Sequence, residues 1–321
     1  MRLLRLEDDG NVSLVEKAEE NKPDYAILSH RWGDDEDEVT FEDIVGKTGR
    51  SKKGYAKICA CGAQAKRYGW DLFWVDTCCI DKSSSTELSE SCWYQKAQIC
   101  YAYLEDVFTD SRWFTRGWTL QELLAPSKLV LYNDEWKVIG TKIELADKIS
   151  KRSNIQQEYL TNNTSFERAS IAERMSRASN RKTKRFEDVA YCLLGIFDIN
   201  MPLLYGEGTK AFQRLQEEIV KRSDDQSILA WSPSSKESKS GSLFAHSPAE
   251  FQACGNIVRS FQGELRKPYA TTNTGLQIEL PLVKGDDLGL CGVLSCQYRN
   301  DTMSNLALPL QKVHDNHQYQ R

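Results

Sequence analysis

A tryptophan and a glutamate one helical turn apart are the residues whose types and spacing point most directly to chemistry. Trp118 and Glu122 belong to segment 117–124, which has the spacing of a short helix and is ended by Ala125-Pro126. At 100° per residue the two share one side of that helix. The opposite side carries Leu120, Leu123 and Leu124. A carboxylate held against an aromatic ring could bind sugar hydroxyls or stabilise a developing cation, whereas a half-exposed tryptophan beside a solvated glutamate is the simpler alternative.

Polar side chains follow two apolar segments that have the composition of buried strands. The first segment leads into Ser29, Arg31 and Trp32, and the second ends at Asp76. Parallel sheets with alternating helices bind ligands at the carboxyl ends of their strands, so we expect these side chains to meet at one edge. The alternatives are a plain connecting loop after the first segment and, for Asp76, a cap of the following turn.

Strands and helices alternate along the first half of the sequence. Short apolar runs predict strands at four places: 25–29, 72–76, 107–108 and 128–132. Helical spacing of apolar residues predicts four helices: 54–68, 92–104, 117–124 and 142–150. This alternation predicts an α/β fold built on a doubly wound parallel sheet with right-handed crossovers.

Composition divides the chain into regions. We expect an α/β domain over 1–150, a helical extension packed on it over 151–231, and a serine-rich linker over 232–242. Alternating apolar residues at 275–280 and an apolar run at 291–296 predict a pair of strands. The last region, 243–321, is therefore expected to be a small β-rich C-terminal appendage.

Charge and hydropathy argue against several classes of function. The 321 residues carry 42 Lys and Arg against 46 Asp and Glu, and the net charge of −4 argues against nucleic acid as the main partner. No apolar run approaches the length of a membrane span, and the N-terminus turns acidic too early for a secretory signal. Ten cysteines without a C-x-x-C pair give little support for a metal site. Because no secretory signal is expected, a reducing, cytoplasmic location is expected.

Five segments taken together resemble the heterokaryon-incompatibility (HET) domain of fungal proteins. Three of them look like the sequence blocks of that domain: 25–33 (YAILSHRWG), 74–81 (WVDTCCID) and 116–123 (RGWTLQEL). Two downstream segments are also similar to fungal HET proteins: 174–179 and 187–208. Arg177 departs from the pattern, since relatives are expected to carry tryptophan there. The resemblance runs to about residue 232 and implies a part in fungal non-self recognition and cell death.

A more distant resemblance implies a specific reaction. The first predicted strand and the loop at Arg31 look like the first strand and loop of Toll/interleukin-receptor (TIR) domains. Segment 118–123 (WTLQEL) is similar to the W-C-L-x-E-L segment of plant TIR domains, with Thr119 in place of the cysteine. In those domains the glutamate is the catalytic residue of an NAD glycohydrolase. The resemblance therefore implies a TIR-like fold, cleavage of the nicotinamide–ribose bond of NAD, and Glu122 as the catalytic residue.

The resemblance also implies how a dinucleotide would be bound. Arginines would pair with the pyrophosphate, tryptophans would stack on the bases, and strand-end polar groups would bind ribose or carboxamide. The candidate binding residues are Ser29, Arg31, Trp32, Asp76, Arg116 and Trp118. No cofactor or metal is expected, since NAD is the substrate. Self-association is expected because TIR-like enzymes often need it to complete their sites, and any sensor is expected to be a separate protein, since the sequence holds no P-loop.

Other functions remain open from the sequence. A Ser–His dyad of Ser29 and His30 fails, because neighbouring residues of a strand point to opposite faces. A Cys–His hydrolase using His30 with Cys78 or Cys79 is sterically possible but lacks an orienting motif. The stronger alternative is a non-enzymatic signalling module that acts by homotypic assembly and recruits partners.

Overall fold

The computed structural model describes residues 1–18, 23–81, 93–233, 242–260, 269–285, 289–301, 303–314 and 318–320. Within these ranges no helix is both long and apolar enough to cross a membrane. The chain divides into two compact units, Met1–Thr164 and Ser165–Arg321. The finer division into domain, helical extension, linker and appendage stays a prediction, and most of the 232–242 linker lies outside the described residues.

The first unit mixes strands and helices. Its strands are β1 (Arg2–Leu6), β2 (Val12–Glu16), β3 (Ala26–His30), β4 (Phe73–Trp74), β5 (Ile99–Tyr103), β6 (Leu129–Tyr132) and β7 (Val138–Thr141). Its helices are α1 (Phe41–Gly46), α2 (Lys53–Arg67), α3 (Asp76–Cys79), α4 (Trp93–Lys96), α5 (Thr119–Leu124), α6 (Ala146–Ser153) and α7 (Gln157–Leu160). Short 3₁₀ turns form at Gly49–Ser51, Phe108–Asp110 and Arg112–Thr115.

All seven strands of this unit form one sheet in the order β2-β1-β4-β3-β5-β6-β7. The central strands β4, β3, β5 and β6 are parallel, while β1, β2 and β7 pair antiparallel at the two sides. β3 is buried along its whole length, as expected for a parallel strand with a neighbour on each side. The predicted α/β class and parallel centre are confirmed, whereas the antiparallel strands at the sides were not predicted.

The strand β5 corrects the helix predicted over 92–104. The apolar residues there have helical spacing, yet only Trp93–Lys96 is helical, and Ile99–Tyr103 is the strand between β3 and β6. A short continuous apolar run fits either structure, and aromatic and β-branched residues favour a strand. The short strand predicted next is also wrong, because Val107 is exposed and Phe108 begins a 3₁₀ turn.

Most other predicted elements of this unit are confirmed with shifted bounds. The predicted strands before residue 80 and at 128–132 correspond to β3, β4 and β6, and the predicted helices 54–68 and 117–124 correspond to α2 and α5. The helix predicted over 142–150 begins at Ala146, after the strand β7.

Helix α2 packs closely on one face of the sheet. Its buried residues include Ile58, Cys61 and Ala65, which form one apolar stripe. Gly62 lies at the point of closest approach, where a Cβ atom would stand 2.8 Å from the ring of Phe73. The missing side chain therefore lets α2 rest directly on the sheet.

The second unit combines short helices with antiparallel strands. Its helices are α8 (Ile171–Ser176), α9 (Asp188–Tyr191), α10 (Leu194–Phe197) and α11 (Lys210–Arg222). Its strands are β8 (Ile257–Arg259), β9 (Ala270–Thr272), β10 (Gly275–Gln277), β11 (Leu282–Gly285), β12 (Gly289–Tyr298), β13 (Asn305–Pro309), β14 (Gln311–His314) and β15 (Gln318–Gln320). β12 pairs with β11, β13 and β8. The β-rich C-terminal region is confirmed, but β10 pairs with β9, not with the 291–296 segment as predicted.

Arg177, the departure from the expected tryptophan, lies inside the second unit. Its guanidinium is buried and donates to Glu173 Oε1 at 3.2 Å and to the Gly255 carbonyl at 2.8 Å. Arg299 donates to the other carboxylate oxygen of Glu173 at 3.0 Å. The position therefore holds a buried ion pair that joins α8 to the residue after β12.

Candidate active site

The carboxyl ends of parallel strands meet at one edge of the central sheet. β3 and β5 run in register, with Ser29 opposite Ala102 and His30 opposite Tyr103. Paired side chains of such strands point to the same face, and successive residues point to opposite faces. Ser29 therefore lies on one face of the sheet and His30 on the other, so this edge presents two distinct sets of side chains.

Ser29 binds the carboxylate of Glu122 on the first of these faces. Its hydroxyl donates to Glu122 Oε2 at 2.5 Å, and the Trp113 indole N–H donates to the Ser29 oxygen at 2.8 Å. Because Trp113 occupies a lone pair of that oxygen, the serine proton is directed at the carboxylate. Ser29 and Trp113 are buried, and Glu122 is 5% exposed. The contacts fix one carboxylate oxygen at the end of β3 and rule out the alternative of a solvated glutamate.

Tyr94 approaches the same carboxylate from α4. Its hydroxyl donates to the Leu28 carbonyl at 3.2 Å, and burial raises the pKa of the phenol well above its ordinary value. The negative charges of Glu122 and Asp76 raise this pKa further. The phenol therefore stays neutral and keeps its proton for hydrogen bonding, and both carboxylates lie within electrostatic reach of it.

Helix α5, which carries Glu122, is buried on several sides. Leu120 and Leu123 are buried as predicted, Leu124 is half-buried, and Thr119 and Gln121 are buried as well. Trp118 and Arg116 precede the helix and are half-buried. The side of α5 that faces away from the leucines carries Glu122. This side is also packed against protein, because Ser29 contacts Glu122 there.

A buried lysine holds the other end of α5. The Lys142 ammonium donates to the Pro126 carbonyl at 2.7 Å, to the Leu123 carbonyl at 3.4 Å and to Asn162 Oδ1 at 3.5 Å. Lys142 is 1% exposed, and burial lowers its pKa to about 8. Although burial disfavours the charged form, these three oxygen partners let Lys142 fix the connection that follows Glu122.

On the other face of the sheet, His30 lies between two carboxylates. Its Nε2 is 3.6 Å from Glu38 Oε2, and its Nδ1 is 3.8 Å from Asp76 Oδ1. The other oxygen of Glu38 accepts from Lys57 at 3.0 Å and from the Gly33 amide at 2.8 Å. Burial acts to raise the pKa of Glu38, but His30 and Lys57 hold it well below its usual range. This charge cluster ties α2 to the loop after β3.

The predicted binding residues of the β3 loop have acidic partners. Arg31 donates to Glu105 at 2.9 Å, and the Trp32 indole N–H donates to Asp76 Oδ2 at 2.7 Å. Asp76 also accepts the Thr77 amide at 2.8 Å, so it caps the following turn as well. The expectation that the strand-end residues meet at one edge of the sheet is confirmed, while their part in binding stays a prediction.

The cysteines considered as partners of His30 are poorly suited to nucleophilic chemistry. Cys78 and Cys79 are buried in α3, and burial raises the pKa of Cys78 to about 12 and that of Cys79 well above its ordinary value. The thiolate is the nucleophile, so such thiols are inert at neutral pH. Over the part of the chain that the structure describes, the cysteines are free thiols, and no group of His, Cys, Asp and Glu is placed to hold a metal ion.

Four side chains of this edge were missed by sequence reasoning: Tyr94, Trp113, Glu38 and Lys57. Tyr94, Trp113 and Lys57 reach the site through contacts between distant segments, as the separation of 84 positions between Ser29 and Trp113 illustrates, whereas Glu38 lies close to His30 in the sequence. The one available signal was the position of Trp113 three residues before the block that contains Glu122.

The structure defines an α/β protein with a serine-bound carboxylate at the carboxyl edge of its sheet, and the chain is similar to a fungal vegetative incompatibility protein. That relative is the vegetative incompatibility protein HET-E-1 of Podospora anserina, 45% identical over 244 residues. The match covers 69% of this chain and 18% of the relative, so the chain spans less than a fifth of the relative's length. The resemblance to fungal incompatibility proteins is thereby confirmed. A family model described as a domain of unknown function (DUF8212) matches residues 210–240, and no solved structure matches the chain.

Proposed function

We propose that this chain cleaves the nicotinamide–ribose bond of NAD with Glu122 and acts as a cell-death effector in fungal heterokaryon incompatibility and innate immunity. The observation that carries the proposal is the hydrogen bond that fixes the Glu122 carboxylate to Ser29 at the end of β3. Ligands of open parallel sheets bind at this edge. Similarity to HET-E-1 supports the biological role, and the TIR-like segment around Glu122 supports both the reaction and a TIR-like fold.

Cleavage of NAD requires stabilisation of the positive charge that develops on the ribose, and the leaving nicotinamide does not need to be protonated. The C1′–N bond breaks, nicotinamide leaves as a neutral molecule with the bonding electron pair, and positive charge develops on the ribose. Water then adds to C1′ and loses a proton, which gives ADP-ribose. A carboxylate fixed beside C1′ stabilises the cationic transition state and binds ribose hydroxyls. NAD is thus the substrate, and the reaction calls for no further cofactor.

Ser29 and Trp113 would keep the carboxylate in place while charge develops. Both are buried, and their hydrogen bonds run in sequence from the Trp113 indole to Ser29 and from Ser29 to Glu122. Groups that are already oriented need no rearrangement when the transition state forms. In this chain of hydrogen bonds Glu122 is the end that would contact the ribose, so we regard it as the catalytic residue and Ser29 and Trp113 as positioning residues.

The other candidate residues would bind the rest of the dinucleotide. Arg31, paired with Glu105 and a quarter exposed, would exchange that partner for the pyrophosphate. Trp32, anchored by Asp76, would offer its ring to a base. Arg116 and Trp118 precede α5 and would border the nicotinamide end.

Self-association and a separate sensor belong to the same proposal. Glu122 is 5% exposed in the single chain, so a contact with a second copy that reshapes this edge would complete the site. A cytoplasmic protein of this kind would reach the NAD pool, and a sensor protein would bring its copies together.

Nicotinamide release from NAD tests the proposal. Purified protein, free and artificially clustered, is incubated with NAD beside the variants Glu122→Gln and Glu122→Ala. The matched control is Glu42→Gln, which changes an exposed glutamate of α1. We expect the clustered wild type and the control to release nicotinamide, and both Glu122 variants to lose roughly a hundredfold in rate. Equal release by wild type and Glu122→Ala overturns the catalytic role.

A non-enzymatic signalling module is the second candidate, and the burial of Glu122 favours it. A carboxylate with so little exposed surface can serve as a structural partner of Ser29 without any substrate. The chain would then act by homotypic assembly and recruitment of partners. Glu122→Gln separates the two functions when assembly is followed by light scattering. Loss of cell death with assembly intact supports the enzyme, and full cell death without loss of NAD supports the module.

A further inference from the structure

The turn between β6 and β7 holds a tryptophan in a backbone conformation that tryptophan rarely adopts. The Asn133 carbonyl accepts the Trp136 amide at 3.0 Å, and Asn133 Oδ1 accepts the amides of Glu135 and Lys137 at 3.2 and 2.8 Å. This pattern is the three-residue hairpin loop in which a left-handed residue follows a tight turn. Trp136 takes the left-handed position with a φ of 58°, where glycine is preferred. Formation of the turn therefore does not explain why a tryptophan is there.

The Trp136 ring packs on two tyrosines at the carboxyl edge of the sheet. Its centroid is 5.2 Å from that of Tyr103 and 5.4 Å from that of Tyr132. The Tyr103 hydroxyl donates to the Asp134 carbonyl at 3.2 Å, which ties the last residue of β5 to the turn. Tyr103 and Trp136 are half-buried, so part of this aromatic surface reaches solvent.

Within this aromatic surface, Tyr103 lies on β5, one strand away from the Ser29-bound carboxylate, and Tyr132 lies on β6, two strands away. Ser29, Ala102 and Leu131 are paired across β3, β5 and β6, and adjacent strands are about 4.8 Å apart, so β6 lies roughly 10 Å from β3. Arg31 follows β3 and pairs with Glu105, which follows β5. A carboxylate, a cation and an aromatic surface thus follow one another along the edge, in the order of the nicotinamide ribose, pyrophosphate and purine of a dinucleotide.

We propose that Tyr103 and Trp136 bind the adenine of NAD by stacking, an inference that rests on the NAD cleavage proposed above. Tyr103 is paired with His30 and so points to the face opposite Ser29. A dinucleotide that contacts both the Glu122 carboxylate and the Tyr103 ring must therefore pass over the ends of the strands, where open α/β sheets bind their ligands. Stacking on an aromatic ring does not depend on the hydrogen-bonding groups of a base. We therefore expect the subsite to bind purine nucleotides in general by stacking.

The variant Trp136→Gly tests the subsite, because glycine suits the left-handed backbone and removes the ring. Trp136→Phe keeps a smaller ring, and Val138→Ala changes an exposed residue of the same hairpin as the control. Thermal unfolding of each variant reports whether the fold is kept. The substrates compared are NAD and nicotinamide mononucleotide, which has the same scissile bond but lacks adenosine.

We expect Trp136→Gly to raise KM for NAD about tenfold or more with little change in kcat, and Trp136→Phe to lie between that variant and the wild type. Cleavage of nicotinamide mononucleotide should be the same in the wild type and all three variants. An unchanged KM for NAD in Trp136→Gly overturns the subsite, and so does a kcat/KM that falls equally for NAD and nicotinamide mononucleotide.

Binding of ADP-ribose, measured by calorimetry without a cleavage step, separates the subsite from the proposed reaction. Binding that is at least tenfold weaker in Trp136→Gly supports the subsite even if NAD is never cleaved. Equal affinities in the two proteins, or no binding to the wild type, overturn the subsite even if Glu122 proves catalytic.

Discussion

The Ser29 hydroxyl is the smallest group on which the candidate site depends. It stands between the Trp113 indole and the Glu122 carboxylate, and its bond to the carboxylate is as short as charge-assisted O–H···O bonds are. The sequence predicts Ser29 and Glu122 as site residues separately. A contact across 93 residues leaves no local pattern, so neither their pairing nor the part of Trp113 could be predicted.

Replacement of Ser29 with alanine should loosen this carboxylate without removing it. The Trp113 N–H and Glu122 lose their shared partner inside the protein, which we expect to cost about 1–3 kcal/mol of unfolding free energy. Urea unfolding followed by circular dichroism measures this loss. The control is Ser127→Ala, at an exposed serine. A Ser29→Ala variant that is as stable as the control would contradict the hydrogen bonds of Ser29 with Glu122 and Trp113.

Glu38 offers a test by pH. His30 and Lys57 outweigh burial and hold its pKa well below the ordinary 4.5. A carboxyl whose pKa is lower in the folded state contributes stability above its unfolded pKa and loses that stability as the pH falls. We therefore expect wild-type stability to decline as the pH drops below about 4.5, and Glu38→Gln to reduce that decline.

At neutral pH the same variant leaves Lys57 buried without its nearest carboxylate, so Glu38→Gln should cost about 3 kcal/mol. Chemical unfolding at a series of pH values measures both the loss of stability at neutral pH and the decline of stability on acidification. If the wild type and Glu38→Gln lose stability in parallel on acidification, the charge cluster is not what holds Glu38 ionised.

At the scale of elements, α5 depends on the groups that hold its ends. A helix of six residues is too short to be stable alone in water, so tertiary contacts must fix its position. The helix itself was predictable, because its leucines repeat at helical spacing. The part of Lys142 was not, because a lysine in a sequence predicts exposure, and the carbonyls that surround this one come together only in the folded chain.

The variant Lys142→Met tests whether the contacts of the buried Lys142 ammonium stabilise the end of α5. Burial lowers the pKa of Lys142 from its ordinary 10.5 to about 8, so between these values the unfolded chain binds a proton that the folded chain does not. The stability that depends on this group therefore rises with pH across that window. We expect the wild type to gain about 3 kcal/mol relative to Lys142→Met between about pH 8 and pH 10.5.

The control for this measurement is Lys137→Met, at an exposed lysine of the neighbouring turn. Amide exchange at Ala125, whose N–H bonds to the Gln121 carbonyl, should be faster in Lys142→Met than in the control. A stability difference for Lys142→Met that stays constant from neutral to alkaline pH would show that the ammonium is not buried as described.

Over the whole molecule, the candidate site belongs to one of the two compact units. Ser29, Trp113, Glu122, Trp136 and Lys142 all lie within Met1–Thr164. The mixed α/β class was predictable because strand and helix patterns alternate along the sequence. The strand order was not, because the antiparallel pairing of β1, β2 and β7 depends on contacts between segments whose local patterns are alike.

The fragment 1–164 is expected to fold on its own, because it contains the complete seven-stranded sheet. Circular dichroism and urea unfolding should show one cooperative transition, and the clustered fragment should release nicotinamide in a Glu122-dependent manner. The control fragment 1–124 lacks β6 and β7 and should not fold cooperatively. An unfolded 1–164 fragment would contradict the division of the chain at residue 164.

Nicotinamide release by the clustered full-length chain at saturating NAD measures whether Glu122 acts on the reacting ribose. Glutamine keeps the size of the side chain and can still accept the Ser29 hydrogen bond, so Glu122→Gln should remain folded, which its melting temperature checks. We expect its rate to be lower than that of the wild type by roughly a hundredfold or more. Equal rates from two proteins of equal thermal stability would show that Glu122 does not catalyse the reaction.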